Sequence, residues 1–405
     1  MRISRTDRSR LVEWWFTVDW PLLAAVAALM AAGILLSLAA SPAVAIKKGF
    51  ATYHFVTRHV VFTLAGFAIV LVLSMMSAPS VRRLSFGLLL AAIAGLVVVH
   101  FIGAEINGAR RWLSLFGHSL QPSEIAKPAF VVVSAWLLAE ARTRPDMPAL
   151  ALSFLLWLAL VALLAIQPDI GQTLLVSAVW GALYVLSGQP LSGAAALAAA
   201  GGAGMAAAYT LLPHVRYRFH HFLSPGSGDG QVERAIQSFS EGGFFGRGPG
   251  EGTIKNALPD AHTDFILAVV AEEYGALACL VLLAVFAFVV LRALRIARDE
   301  PVAADRLAIQ GLALLFGLQA LINMGVNVGL LPAKGMTLPF ISAGGSSTLA
   351  ISLTVGILLA LTRHRADAAR LKKPLFAPTM DGMEPRGSEG RYPLSPSLRE
   401  EGEYQ

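Results

Sequence analysis

The most constraining feature of this chain is a series of apolar stretches, each about 20 residues long and separated by short polar loops. A helix needs about 20 apolar residues to cross a bilayer, where its backbone groups must be satisfied internally. Only 14% of the residues are charged, whereas soluble domains carry about 25%. The sequence predicts an all-α polytopic membrane protein with about ten transmembrane helices, near residues 20–41, 59–77, 82–101, 124–141, 148–166, 170–187, 190–212, 264–293, 306–331 and 339–362.

The lysines and arginines between these stretches predict how the chain is oriented. If the N-terminus is cytoplasmic, the inner loops contain pairs such as Arg82 with Arg83 and Arg142 with Arg144, as the positive-inside rule requires. Both termini are then cytoplasmic. We expect an N-terminal tail (1–19), a transmembrane domain (20–363) with a long periplasmic loop (213–263) before the eighth span, and a disordered C-terminal tail (364–405) rich in Pro, Gly, Ser and Glu.

Charge and cysteine content exclude other classes. The net charge is +6, but the basic residues lie mostly in short loops beside apolar stretches, so we expect no nucleic-acid partner. The single cysteine, Cys279, excludes an internal disulfide and a zinc site of several thiolates. The first apolar run, from Trp20 to about Ala40, is longer than the roughly 7–15 residues of a secretory signal core, which favours an uncleaved span.

Four polar clusters fall on the predicted outer face. The first contains Arg111 and Trp112, followed by a helix start at which Ser123 is the predicted N-cap. Glu124 and Lys127 then share one face of the fourth span, either as a simple i,i+3 pair or as functional charges facing the protein interior. Trp112 suits an interfacial belt or packing against a sugar or isoprenyl chain.

The second and third clusters each place an aspartate before an apolar run. Asp169 follows Pro168 and is a credible helix cap. Thr263 could cap the eighth span and put Asp264, next to His262, in its first turn. The helix dipole would lower the pKa of Asp264 there, whereas burial would raise it. The sequence leaves open which effect prevails.

The fourth cluster surrounds Lys334 and runs through Ser342 to the small residues Gly344 and Gly345. Its two prolines indicate broken helix, which is tolerated at a membrane face only where protein or a water-filled cavity covers it. Free backbone N–H groups beside a lysine would suit an anion such as a diphosphate, and helix-breaking loop chemistry explains the same residues equally well. Together the clusters suit a polyanionic, lipid-linked ligand.

These stretches, taken in order, resemble the SEDS (shape, elongation, division and sporulation) proteins over about residues 15–365. The segment Gly329 through Gly335 is similar to the signature of division-type members, in which Lys-Gly precedes Leu-Pro. Two departures are Ala343, where the family often has Tyr, and residues 216–234, which follow the pattern loosely. The matching stretches are 108–112, 121–127, 167–171, 258–265, 271–275 and 329–347.

The resemblance implies a peptidoglycan glycosyltransferase of the bacterial inner membrane that polymerises lipid II at the division septum and releases undecaprenyl diphosphate. It implies that Asp264 is the catalytic residue, either as general base or as ligand of a divalent cation, Mg²⁺ or Mn²⁺. A class B penicillin-binding protein, the septal transpeptidase, is the implied partner, together with other division proteins. A lipid II flippase is the alternative, with a structural scaffold third. The candidate substrate-binding residues are Arg111, Trp112, Glu124, Lys127, His262, Lys334 and Ser342.

Overall fold

The computed structural model describes residues 10–106, 109–115, 117–211, 213, 216, 220, 230–332 and 335–363. Lys334 and the C-terminal tail lie outside this part of the chain. The described residues are mostly helical, as predicted. The helices are α1 (Arg10–Thr17), α2 (Trp20–Lys47), α3 (His54–Ser74), α4 (Ala78–Ile102), α5 (Pro122–Thr143), α6 (Ala149–Ile166), α7 (Ile170–Leu186), α8 (Leu191–Leu211), α9 (Gly230–Gly242), α10 (Ile266–Asp299), α11 (Ala303–Asn327) and α12 (Gly345–Leu361).

Seven of the described helices are long and apolar enough to cross a membrane: α2, α3, α4, α6, α8, α10 and α11. Two further apolar helices, α7 and α12, have 17 residues each. Helix α5 has 22 residues and carries Glu124 and Lys127 near its start. The polytopic, helical class of the prediction is therefore confirmed, and each of the ten predicted spans overlaps one of these ten helices.

The connection between α4 and α5 differs from the all-α prediction. It forms a small antiparallel sheet of β1 (Ala104–Ile106), β2 (Ala109–Leu115) and β3 (His118–Leu120). Glu105 faces Arg110 across β1 and β2, and their side chains form an exposed ion pair of 3.5 Å. Backbone groups outside a helix must find partners of their own, and this loop satisfies them by pairing with itself. The sheet carries Arg111 and Trp112.

Helices α5 and α11 form the centre of the bundle, and both bury most of their side chains. They approach closely because Gly311 leaves no side chain between them: a Cβ there would lie 2.6 Å from Val131 and 3.0 Å from Leu183. Small residues at helix interfaces allow such close packing in membrane proteins. The buried face of α11 therefore lies against α5 and α7.

Helix α10 is interrupted at Gly275, whose φ is +80° and ψ 177°. The main chain of the preceding loop fits into this interruption, because Ala276 N donates to Gly243 O at 2.9 Å and Leu277 N to Phe244 O at 3.2 Å. A Cβ on Gly275 would lie 2.3 Å from Phe244 O. The part of the predicted long loop at Gly243 and Phe244 is thus closely packed against α10.

Candidate active site

The loop that carries Asp264 is a series of turns ending at Phe265, the residue that precedes α10. The predicted cap at Thr263 is wrong, because its hydroxyl donates to Asp260 O at 3.3 Å and no side chain caps α10. Asp264 therefore precedes the helix and does not belong to its first turn. The predicted cap at Ser123 is also wrong: Gln121 occupies the N-cap of α5 and Pro122 its first turn.

Asp264 is half-buried, and protein lies around much of its carboxyl group. No described residue donates a hydrogen bond to its oxygens. The carboxylate lies next to Gly335, where a Cβ would be 3.8 Å from Asp264 Oδ2. Burial, with a smaller contribution from the negative charge of Asp260, raises the pKa of Asp264 to about 7. Asp264 lies outside the first turn of α10, and its carboxylate can take up a proton near neutral pH.

His262 lies on the same loop, buried against the ring of Phe55 with 4.6 Å between ring centroids. Its Nδ1 has no hydrogen-bond partner among the described residues. Burial and the nearby Lys48 lower the pKa of His262 to about 4, despite the opposing charge of Asp260. The imidazole is therefore neutral at physiological pH. It can offer a ring N–H or a lone pair to a ligand but no positive charge.

The main chain of Asp264 is held by two amides of α11 that our sequence reasoning missed. Asn323 Nδ2 and Asn327 Nδ2 each donate to Asp264 O at 2.9 Å. Asn323 Nδ2 also donates to Met336 O at 2.6 Å, and Asn327 Oδ1 accepts from Ala268 N at 3.1 Å. Gln319, Asn323 and Asn327 recur every four residues in the second half of α11, where the residues between them are apolar. This spacing is the signal that could have identified them.

Ser342 joins the Asp264 loop to the segment before α12. Its Oγ donates to Thr263 O at 2.6 Å and accepts from Leu338 N at 2.8 Å, while Ala343 N donates to His262 O at 2.9 Å. The Ser342 hydroxyl is buried and both of its partners are main-chain groups. The structure therefore places Ser342 beside the catalytic candidate, and its role in binding substrate stays a prediction.

Glu124 and Lys127 form a buried pair, with Lys127 Nζ 2.8 Å from Glu124 Oε1. Gln172 Nε2 donates to the same Glu124 oxygen at 2.7 Å. Lys127 Nζ also donates to Gln319 Oε1 at 3.1 Å, and Gln319 Nε2 donates to Thr337 O at 3.3 Å. The predicted i,i+3 pair therefore faces the protein interior and is connected by side-chain amides to the segment opposite Asp264.

Arg111 contacts the turn between α6 and α7. Its Nε donates to Gln167 O at 3.0 Å and its Nη2 to Pro168 O at 2.6 Å, with Asp169 Oδ2 3.9 Å from Nη1. Asp169 caps α7 as expected, accepting from Gln172 N at 3.4 Å. Burial raises the pKa of Asp169, against the opposing effect of Arg111. Trp112 is half-buried on β2 beside Arg111.

A cavity of about 1100 Å³ lies between α2 and α10. Its walls are mainly apolar, with Leu35, Ala39 and Leu282 among them, and its polar end contains Lys255 and Asn256. These two residues also line a smaller pocket with Lys47, Lys48 and Pro259. Leu258 and Pro259 of the smaller pocket belong to the segment that leads to Asp264, although neither pocket is lined by Asp264 itself.

Two glutamates of α10 fix the loop that bounds this cavity. Glu272 Oε1 accepts from Thr253 N at 2.6 Å and from Ile254 N at 2.8 Å. Glu273 Oε2 accepts from Gly250 N at 2.9 Å, and its Oε1 pairs with Lys255 Nζ. Glu272 and Glu273 are almost fully buried. They anchor the loop 250–255 to α10, so their place in an apolar stretch has a structural reason.

The described residues contain no group of three or more His, Cys, Asp or Glu side chains placed to hold a metal ion. Asp264 and Asp260 are two carboxylates close enough for their charges to interact. A magnesium ion is commonly held by one or two carboxylates, with substrate phosphates and water as its other ligands. Asp264, with the negative charge of Asp260 nearby, would therefore supply a carboxylate ligand to a divalent cation whose other ligands came from substrate phosphate and water.

The chain is similar to known proteins along nearly all of its membrane region. The family model described as a cell cycle protein, FtsW/RodA/SpoVE, matches residues 20–367. The probable peptidoglycan glycosyltransferase FtsW of Caulobacter vibrioides is 46% identical over 367 residues, which is 90% of this chain and 94% of that protein. The protein of the same name from Trichlorobacter lovleyi is 36% identical, over 86% of this chain and 93% of its own length.

Solved structures agree with this relationship. A chain from a study of the structural coordination of polymerization and crosslinking by a peptidoglycan synthase complex has a TM-score of 0.72 and 32% identity, covering 86% of this chain and 98% of its own. The rod shape determining protein RodA of Thermus thermophilus has a TM-score of 0.62 and 29% identity, covering 86% and 97%. The predicted SEDS resemblance is thus confirmed, and the chain belongs to the FtsW/RodA/SpoVE family of cell cycle proteins.

Proposed function

We propose that this protein is a peptidoglycan glycosyltransferase of the division type, which polymerises lipid II on the outer face of the inner membrane. The observation that carries the proposal is the environment of the Asp264 carboxylate. Its carboxylate is half-buried, accepts no hydrogen bond from a described residue and has a pKa raised to about 7. The names of the related FtsW proteins support the same activity.

The reaction needs a base at the acceptor sugar. The 4-hydroxyl oxygen of one disaccharide attacks the anomeric carbon of another, whose bond to the diphosphate oxygen breaks. Asp264 accepts the hydroxyl proton during this attack, and undecaprenyl diphosphate leaves with the bonding electron pair. A base works best when its pKa is near the working pH, and a positioned base contributes about 10²–10⁴-fold. His262 lies on the same loop as Asp264 and is neutral. Its ring can therefore hydrogen bond to a sugar without repelling a cation.

The cavity between α2 and α10 suits the isoprenyl chain of a lipid-linked substrate. Its apolar walls face the two helices, and its polar end continues to Lys47 and Lys48. An isoprenyl diphosphate has the same polarity, with an apolar tail and an anionic head. Lys48 at the polar end would attract the diphosphate, and Arg111, Lys127 and Lys334 remain the predicted contacts of the donor.

Asp264 and Asp260 would hold a divalent cation, Mg²⁺ or Mn²⁺, when substrate phosphate completes its coordination. Such an ion would supply positive charge that stabilises the leaving diphosphate. Two roles for Asp264, base and metal ligand, are therefore both compatible with its surroundings. The titration of its carboxyl group distinguishes them, because a bound cation favours the ionised form and lowers the pKa.

The proposal includes ten membrane crossings with both termini in the cytoplasm, a periplasmic loop over 213–263 and action at the division septum. The positive-inside pattern supports this orientation. A class B penicillin-binding protein is the proposed partner. The related chain from a peptidoglycan synthase complex that coordinates polymerization and crosslinking supports a transpeptidase in that place.

The alternative, a lipid II flippase, needs a polar path through the bilayer. On α11 the buried amides end at Gln319, and the buried side chains that follow toward the start of the helix are Phe316, Leu315 and Leu312. On α5 the residues after Lys127 continue with buried Phe130 and Val131. In these two described helices the buried charges and buried amides gather at one end, which favours chemistry at one face.

The test is polymerisation of labelled lipid II by the purified protein with its transpeptidase partner and Mg²⁺ or Mn²⁺. We expect glycan strands from the wild type, none from Asp264→Asn and none with EDTA. Folding of Asp264→Asn is checked by binding to the partner. Strands from Asp264→Asn at the wild-type rate would contradict the assignment, whereas lipid II movement between leaflets without polymer would favour the flippase.

A further inference from the structure

Three side-chain amides on one face of α11 join two non-helical segments at the active site. We call Gln319, Asn323 and Asn327 the amide ladder. Their side chains are 3%, 1% and 0% exposed, so they neither contact solvent nor offer a surface to substrate. Buried amides in an apolar helix cost free energy unless each finds a partner. All three find partners in the Asp264 loop or in the segment 335–337.

The bonds converge on one atom. The Asp264 carbonyl oxygen accepts from both Asn323 and Asn327, and Asn323 also bonds Met336 O. Asn327 Oδ1 accepts from Ala268 N, in the first turn of α10. The position of the Asp264 main chain is thereby fixed relative to α10, α11 and the segment at Gly335, which adjoins the carboxylate.

The ladder also reaches the buried charge pair. Gln319 accepts from Lys127 Nζ and donates to Thr337 O, one residue beyond Met336. Lys127 in turn bonds Glu124, which bonds Gln172 of α7. A continuous set of hydrogen bonds therefore links Lys127 to the segment opposite Asp264. Loss of one amide of the ladder would move the Asp264 carboxylate without removing any group that touches a sugar.

We propose that Gln319, Asn323 and Asn327 are positioning residues for glycosyl transfer, which hold the Asp264 main chain against the 335–337 segment and link it to the Lys127–Glu124 pair. This inference rests on the proposed polymerase function. Because a displacement of about 1 Å at a reacting group can cost 10²-fold in rate, we expect Asn323→Ala to lower kcat at least about tenfold. KM for lipid II should stay within about threefold, since Asn323 does not contact substrate.

The experiment measures kcat, KM and amide hydrogen exchange for Asn323→Ala in the full chain with its partner. Gln310→Ala is the matched control, because it removes the same functional group from the same helix nine residues before Gln319. For Asn323→Ala we expect faster exchange confined to residues 260–268 and 335–343. Gln310→Ala should retain the wild-type kcat and the wild-type exchange in both segments.

Three results would overturn the proposal: wild-type kcat in Asn323→Ala, a higher KM at unchanged kcat, or faster exchange spread over the whole bundle. If Asn323→Ala does not fold, Ser342→Ala removes a bond between the same two segments and should give the same local pattern. If the wild type makes no polymer, the proposed function fails, and the exchange pattern still decides whether the ladder holds the Asp264 loop.

Discussion

Asp19 and Asp264 both lie just before a helix in this protein, and their surroundings are opposite. Asp19 caps α2, accepting from Leu22 N at 2.9 Å, and Arg292 binds its carboxylate at 2.8 Å and 3.2 Å. Asp264 precedes α10, and none of the described residues donates to its carboxylate, although two amides hold its main chain. The carboxylate of Asp19 is therefore fully paired with protein groups. At Asp264 the protein holds the main chain and leaves the carboxylate free to interact with a ligand.

The number of hydrogen bonds to the carboxylate distinguishes an aspartate with a structural role from one that is available for catalysis. Shielding from water does not distinguish the two residues, because the protein covers both to some extent. A buried carboxylate with a full set of hydrogen-bond donors stabilises the fold. A buried carboxylate without donors costs stability and persists where it serves a function. Asp264 is of the second kind, as its pKa of about 7 indicates. Substitutions that change one property of each aspartate at a time test this contrast.

The largest expected effect is on catalysis. Asp264→Asn should lower the rate of lipid II polymerisation by about 10²–10⁴-fold, the usual contribution of a positioned base. Asp19→Asn is the matched control, because it makes the same change at the other aspartate. It should leave the rate per folded molecule unchanged in the polymerisation assay. Similar losses in both variants would remove the contrast between the two residues.

The next effect is on stability and concerns Asp19. Asp19→Ala removes a helix cap and two charged hydrogen bonds, and should cost about 2 kcal/mol, since the Arg292 side chain is partly exposed and its charge partly screened. A lower melting temperature of the purified protein would report this loss. Asp19→Asn keeps the cap and should lose less. A melting temperature unchanged in both variants would mean that the ion pair contributes nothing.

The smallest expected effect is a gain in stability for Asp264→Asn, and it depends on pH. Folding raises the pKa of Asp264, so its contribution to stability is present below about pH 4 and lost as pH rises through about 7. Asp264→Asn carries no charge and should be more stable than the wild type by about 1–2 kcal/mol at pH 8. The two melting temperatures should converge near pH 4. A less stable variant at pH 8 would show that the carboxylate has a favourable partner.

Much of this organisation could be predicted from the sequence, because it follows from local patterns. The apolar runs predicted the ends of the spanning helices to within six residues, and the spacing of Glu124 and Lys127 predicted their pairing. The caps at Thr263 and Ser123 were wrong because turn hydrogen bonds at Asp260 and the proline at 122 moved the helix starts. The amide ladder depends on contacts between residues about 60 positions apart in the chain, which local patterns do not determine.

The measurement that tests the central claim most directly is the pH dependence of kcat/KM for lipid II polymerisation. If Asp264 is the base, kcat/KM should rise tenfold per pH unit below about pH 7 and level off above it. Asp260→Asn should shift this bend to lower pH, because it removes the negative charge that helps to raise the pKa. A profile without a bend between pH 5.5 and 8.5, or the same bend in Asp264→Asn, would contradict the account.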